Sequence, residues 1–305
     1  MKFPSALLPL VCSALSLSPL HAVVVQNGNA ANLVAPVDDP GWDAIGTIST
    51  PAGPATAIFL GNNGGYGWFL TANHVSLTSA TLSIGGIDYT AFLDVDQIGT
   101  TDMKVFRVNA IIPAITPVTL ASTTPAVGLE VVMAGFGATG TFMTWDTTTA
   151  PWTSPGAGAS GYAWTGPNVK RWGTNVIHET GSTVYSPNLS IITDFDDGNG
   201  EAQATLGDSG GAMFYKNGMN WELIGLMVAV AATPDGTNYI NSFVGQPGST
   251  SVSFVNGNPS AKSVTFAAQI SEYRSDILQA IPEVSSLGLL ALASLLLARR
   301  SSVRR

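Results

Sequence analysis

The sequence predicts an all-β fold built in two halves, and three observations predict it. Short β-like runs are cut apart by turn residues along most of the chain. Hydrophobic residues make up 45% of the 305 and charged residues only 10%, so the surface must rely on Thr, Ser, Asn and Gly. That balance is typical of exported β proteins. Pro113, Pro117 and Pro125 interrupt the strands near the middle and mark a connector between the halves.

Val23–Pro40 is polar and turn-rich without a clear period, and reads as an N-terminal arm. The first half holds six runs, Ala44–Ser49, Ala55–Leu60, Tyr66–Thr71, Ala80–Ile84, Ile87–Leu93 and Lys104–Val108. Gly61-Asn62-Asn63-Gly64-Gly65 is a hairpin signal, and six short strands with tight turns suggest a barrel or a sandwich. The second half holds Glu130–Gly135, Gly173–Ile177, Leu189–Thr193, Ala212–Tyr215, Glu222–Val230, Ser251–Val255 and Ser263–Phe266. The stretch from Ala138 to Val169 reads as a long functional or mobile loop that Trp145, Trp152 and Trp164 pack down. Ser271–Ala280 reads as a helix, with Ser271 as its N-cap and Ile270, Tyr273 and Ile277 on one face.

Both ends carry sorting information. Residues 1–22 have the pattern of a secretory signal peptide: Lys2, apolar residues to about Leu20, then Leu20-His21-Ala22 before Val23. Pro4, Pro9 and Pro19 argue against a buried helix there. The single cysteine, Cys12, lies in this segment and follows Val11, where a lipoprotein cysteine wants a small residue. The processed chain then has no cysteine, which excludes disulfides and thiolate metal sites. Residues 23–281 hold seven basic against nineteen acidic residues, a net charge of about −12, which argues against nucleic acid as a partner.

At the other end, Pro282-Glu283 precedes fifteen mostly apolar residues, Val284–Ala298, and then Arg299-Arg300 and Arg304-Arg305. Fifteen is short for a stable span, and the arginines suit an end held in the cytoplasm. This tail resembles the PEP-CTERM sorting signal of Gram-negative bacteria, with Val284 where the second proline usually sits. The resemblance implies a processing enzyme as a partner and transient anchoring in the inner membrane. The alternative is a plain C-terminal anchor.

The chemistry centres on Leu206-Gly207-Asp208-Ser209-Gly210-Gly211-Ala212, a polar turn with a serine at its apex. The glycines let backbone N–H groups gather beside the hydroxyl, which is what acyl transfer needs; a plain Gly-rich hairpin is the alternative. Trp68–Val75 is an apolar run ending in His74, and Thr101–Val108 opens a strand with Asp102. Only His74 and His178 remain after Ala22, so the search for a general base is nearly closed. Asp94 and Asp96 compete with Asp102, and the strand that follows favours Asp102.

With "LTANHV", "TDMKVFRV" and "GDSGGA" in that order, the chain resembles the trypsin/chymotrypsin-like serine protease family from about Trp42 to Ala280. A weaker match is Val132-Met133-Ala134-Gly135-Phe136-Gly137. The resemblance implies two six-stranded antiparallel β-barrels, at about 42–122 and 128–268, closed by a short helix at 270–280. It implies His74, Asp102 and Ser209 as the catalytic set, with the N–H groups of Gly207 and Ser209 as the oxyanion hole. Animal members are usually disulfide-stapled, so this chain looks bacterial.

Three departures from the pattern matter. Lys104 stands where the family has a small apolar residue, so its charge must reach solvent or pair. Asp208 matches an aspartate that often pairs with a freed N-terminal Ile or Val; Val23-Val24-Val25 is a poor substitute for Ile-Val-Gly-Gly, and internal hydrogen bonds are the alternative. Gln203 stands at the pocket base, where trypsin-like members carry an aspartate, and Val230 falls near a usual glycine. With Val228, these form the expected substrate pocket and point to a small or neutral side chain before the scissile bond.

His178 reads as a surface or structural residue. With so few ligand residues no catalytic zinc and no cofactor are expected. Asp194–Glu201 has calcium-like oxygen spacing without the full twelve-residue pattern, and an acidic turn is the preferred reading. The sequence thus predicts a secreted, monomeric serine endopeptidase acting on protein or peptide substrates. An inactive surface or matrix scaffold is the main alternative, and an esterase a weaker one.

Overall fold

A computed structural model describes residues 23–281 apart from 91, 147, 149–152, 158, 196–199, 232, 235–239 and 244–262. The expected leader 1–22, the tail 282–305, Trp152, the run Ser251–Val255 and the middle of Asp194–Glu201 lie outside the described residues. No helix among the described residues is long and apolar enough to cross a membrane.

The first half forms one antiparallel sheet of seven strands: β1 (Ile45–Thr50), β2 (Gly53–Asn63), β3 (Tyr66–Ala72), β4 (Thr81–Ile84), β5 (Ile87–Tyr89), β6 (Phe92–Gln97) and β7 (Met103–Val108). Its order is β5-β4-β1-β2-β3-β7-β6, a half-barrel with β5 and β6 at its edges. Seven strands replace the expected six because the run Ile87–Leu93 leaves the ladder at Thr90. The expected hairpin is present, with β2 running on to Asn63 so that Gly64-Gly65 alone makes the turn. The core is a chain of rings, Phe59 to Phe69 at 5.3 Å, Phe69 to Phe106 at 5.5 Å and Phe106 to Phe92 at 5.4 Å. Such pairs add to the burial of the large apolar surface around them.

The second half closes. Strands β8 (Glu130–Gly135), β9 (Arg171–Ser182), β10 (Ser190–Asp194), β11 (Ala212–Asn217), β12 (Asn220–Ala231) and β13 (Val264–Gln269) form a six-stranded barrel in the order β9-β10-β13-β12-β11-β8. Helix α1 (Ile270–Ala280) follows β13 directly and buries Ile270 and Ile277. Ser271 is not its N-cap: Gln269 holds that position, and the Ser271 hydroxyl lies 2.5 Å from Thr124 Oγ1 on the connector.

Two segments are more ordered than the sequence suggests. Thr141–Trp145 and Ala159–Ala163 pair as a hairpin and continue through Ile240–Phe243 into a four-stranded sheet, with Trp145 buried against Ala163. The polar arm also docks: Val24–Val25 pairs with Ala202–Gln203, and Val23 is fully buried. Its apolar residues alternate with nothing, so only the partner strand reveals their role.

Candidate active site

Three strand ends meet between the halves. The antiparallel register pairs Ala72 of β3 with Met103 of β7, so the residues just beyond each strand, Asn73-His74 and Asp102, are neighbours. Asn73 N–H donates to Asp102 O at 3.1 Å and His74 N–H to Asp102 Oδ1 at 2.9 Å. The His74 ring then lies with Nδ1 2.7 Å from Asp102 Oδ2 and Nε2 2.8 Å from Ser209 Oγ. An ionised carboxylate only accepts, so Nδ1 carries the proton and Nε2 faces the hydroxyl as acceptor. His74 is half-exposed and Asp102 much less so.

The serine loop is held by the first half. Thr56 of β2 donates its N–H to Ser209 O at 2.9 Å and its hydroxyl to Gly207 O at 3.1 Å, and Thr71 donates to Thr56 O at 2.7 Å. Gly207 has a φ of +100°, and a Cβ there would lie 2.4 Å from Asn168 Nδ2 and 2.9 Å from Phe136 O, so no other residue fits. The N–H groups of Gly207 and Ser209 have no acceptor among the described residues, whereas Asp208, Gly210 and Gly211 all donate to carbonyls.

Asp208 turns inward and is fully buried. Its Oδ1 accepts from Gly137 N–H at 2.7 Å, and its Oδ2 from Thr205 N–H at 2.8 Å and Thr205 Oγ1 at 3.1 Å. The backbone N–H of Val23 also donates to this carboxyl. Burial pushes the group up to about 7, and these hydrogen bonds only partly oppose it. Gly137 is glycine for space, since a Cβ would stand 2.1 Å from Asp208 Oδ2. Asp208 therefore has the internal hydrogen bonds expected as the alternative, and the arm reaches it as well.

A cleft of about 280 Å³ opens beside Ser209. Its walls are Ala204, Thr205, Leu206, Met227 and Ala229, with the expected Val228 and Val230. Gln203 corrects the expectation: it does not line the cleft. It is buried one residue behind Ala204, with Nε2 3.5 Å from Val264 O, because strand pairing with Val24 turns it away. Asp208 is then the one carboxyl that lines the cleft, and it is held by Gly137 and Thr205.

Lys104 also departs from expectation. It is 6% exposed, and no carboxylate lies within ion-pair distance of it among the described residues. Its ammonium donates instead to the carbonyls of Asn73, at 3.0 Å, and Val75.

Two contributors were not foreseen. Tyr185 lines the cleft and donates its hydroxyl to Asp102 Oδ2 at 3.4 Å. Burial, and then the Asp102 charge, raise its phenol above the usual range, so it stays a donor. Asn188, 1% exposed, accepts from Asp102 N–H at 2.8 Å. Only the Asn-containing turn after Ser182 hints at them in the sequence. His178 stands apart, with Nδ1 3.3 Å from Asp194 Oδ2.

No family model and no curated protein matches the chain. Among solved structures it is similar to neuropsin, a serine protease expressed in mouse brain, at 16% identity over 80% of this chain and 96% of that one, with a TM-score of 0.49. It is similar to an inactive form of Rv3671c from M. tuberculosis H37Rv at 14% identity, covering 86% and 96%, with a TM-score of 0.48. A serine endoprotease from Yersinia pestis matches at 15% identity, covering 79% of this chain and 64% of that one, with a TM-score of 0.45. These structures are serine proteases; at such identities the likeness concerns the course of the chain, and the reading of the site rests on its own geometry.

Proposed function

We propose that this chain is an exported serine endopeptidase that cuts peptide bonds through an acyl-enzyme. The observation that carries the reading is the continuous row Asp102–His74–Ser209, at 2.7 and 2.8 Å, beside two unspent N–H donors. Ser209 Oγ attacks the carbonyl carbon while its proton passes to His74 Nε2. The N–H groups of Gly207 and Ser209 receive the negative oxygen. The C–N bond breaks as His74 returns the proton to the leaving amine, and water then releases the acyl group by the same route. Asp102 holds the imidazole tautomer and stabilises its charged form. Covalent labelling of Ser209 by a fluorophosphonate, together with peptide hydrolysis, tests the reading. An inert Ser209 would return the chain to the scaffold alternative, and turnover of esters without peptides would make it an esterase.

The cleft sets the specificity. Ala204, Met227, Val228 and Val230 offer no counter-charge, and the one nearby carboxyl, Asp208, is already fully hydrogen-bonded. Burying a cation there without a partner is costly. A digest of a peptide library is expected to show cuts after small or neutral residues, at least tenfold over Arg or Lys. A preference for Arg and Lys would show that the cleft is not the pocket.

Processing at Val23 fits the same site. Val23 has a φ of +27°, an unfavourable value for a β-branched residue, and its N–H points to Asp208. Cleavage after Ala22 removes that torsion and turns the N–H donor into an ammonium beside the buried carboxyl. Without the cut, the folded state keeps a proton on Asp208 up to about pH 7, whereas the unfolded chain loses it near the ordinary aspartate value of 3.8. Stability then falls as pH rises through that window, by an amount on the order of a few kcal/mol. A chain retaining Ala22 is therefore expected to show a lower thermal midpoint at pH 7.5 than at pH 4.5 relative to the chain starting at Val23. Parallel profiles would refute the pairing. The mass of the exported protein reads both ends at once: an N-terminus at Val23, and a C-terminus near Glu283 if the tail is a sorting signal.

A further inference from the structure

We propose that Lys104 is a positioning residue for the general base: its buried ammonium clamps the turn that carries His74 and places a positive charge behind the Asp102–His74 pair. This rests on the reading of His74 as the base. The two carbonyls that Lys104 holds belong to Asn73 and Val75, the residues on either side of His74. The same turn is tied from the other side by Asp102, through its carbonyl to Asn73 N–H and its carboxylate to His74 N–H. The backbone around His74 is thus fixed by Asp102, just before β7, accepting, and by Lys104, within β7, donating.

A buried ammonium is expensive where no carboxylate touches it. Burial lowers the Lys104 ammonium below its ordinary range, and the Asp102 charge opposes that shift. A methionine or leucine would fill the same space on β7 without the cost. What only the lysine supplies is two directed N–H donors and a charge. The register sets Thr71 of β3 and Gln97 of β6 opposite Lys104, neither of them titratable. The titratable groups around it are Asp102 and His74, with Tyr185 beyond Asp102 and Asp96 exposed on β6. The charge therefore acts chiefly on Asp102, the carboxylate that holds the His74 ring.

The test uses two properties of the chain. Only His74 and His178 follow Ala22, so proton NMR resolves the His74 titration, and no cysteine follows Ala22, so one can be introduced alone. In the Ser209→Ala background, Lys104→Met is expected to move the His74 titration, because the charge behind its Asp102 partner is gone. The His178 titration should stay in place. In the Ser209 protein the same change is expected to lower kcat by 10- to 100-fold, with KM within about twofold, the scale of a small misplacement of a reacting group.

If Lys104→Met does not fold, Lys104→Cys alkylated in denaturant and refolded serves instead. Bromoethylamine restores an ammonium, and iodoacetamide leaves a neutral side chain of similar length. The cationic adduct should recover the parental titration and kcat, and the neutral one should not. Equal behaviour of the two adducts, or a folded Lys104→Met protein with an unmoved His74 titration, overturns the proposal. Because the titration is read without turnover, that result is separate from failure of the protease reading, which would appear as an unlabelled Ser209 in the parent.

Discussion

Ser209→Ala is expected to reduce turnover by about 10⁶-fold and to abolish covalent capture by a fluorophosphonate. Ser209 Oγ is, among the described residues, the only hydroxyl bonded to His74 Nε2, so its loss removes the proposed nucleophile and leaves that nitrogen without a partner. The loop itself should survive. Its shape depends on Thr56, Asp208 and the turn at Gly207, none of which uses the Ser209 side chain. Thermal stability is therefore expected within about 0.5 kcal/mol of the parent. Binding of substrate should persist, and a residual rate some 10³-fold above water reflects the oxyanion donors that remain. Peptide hydrolysis at the parental rate by this variant would end the protease reading outright.

Asp102→Asn is expected to cost about 10⁴-fold in kcat near neutral pH. The asparagine can keep one contact to the His74 backbone N–H, so the turn is preserved. Its amide, presented to Nδ1, donates where the carboxylate accepted, and the imidazole settles in the tautomer with its proton on Nε2. That nitrogen can then no longer take a proton from Ser209. Tyr185 would be left addressing a neutral group, while Asn188 keeps its bond to the residue 102 backbone N–H. Asp96→Asn and Asp94→Asn on β6 are the controls, and each is expected to change kcat by less than about threefold. A 10⁴-scale loss at either of those, with Asp102→Asn active, would redraw the site.

How far the sequence disclosed this arrangement depended on the range of the contacts involved. His74 ends an apolar β run, Asp102 opens one and Ser209 stands in a Gly-rich turn before another, so strand pattern and residue type together singled them out. The strands themselves were legible for the same reason, since period and turn residues are local. Tyr185 and Asn188 reach Asp102 across 83 and 86 residues from an irregular turn, and no periodicity marks such a turn. Lys104 was expected to reach solvent or pair, because alternation along a strand says nothing about a carbonyl pair waiting beneath it. Gln203 was placed by counting from Ser209, and counting cannot tell which face a short strand presents once Val24 pairs with it. The docking of the arm onto Ala202–Gln203 gave no signal, because it depends wholly on a partner far along the chain.

That pairing also makes the site indivisible. His74 and Asp102 belong to the open sheet, Ser209 to the barrel, and the cleft residues Ala204 and Thr205 continue the short strand on which Val24–Val25 lies. Neither half alone assembles the row Asp102–His74–Ser209, and the first described segment pairs with the strand that leads into the cleft residues. Contacts of such sequence separation form late, after local hairpins have hidden their own backbones. Under the proposed function, a nascent chain is spared a hydrolytic neighbour while its cleavable strands are still exposed, because the row forms with topological closure and not before it.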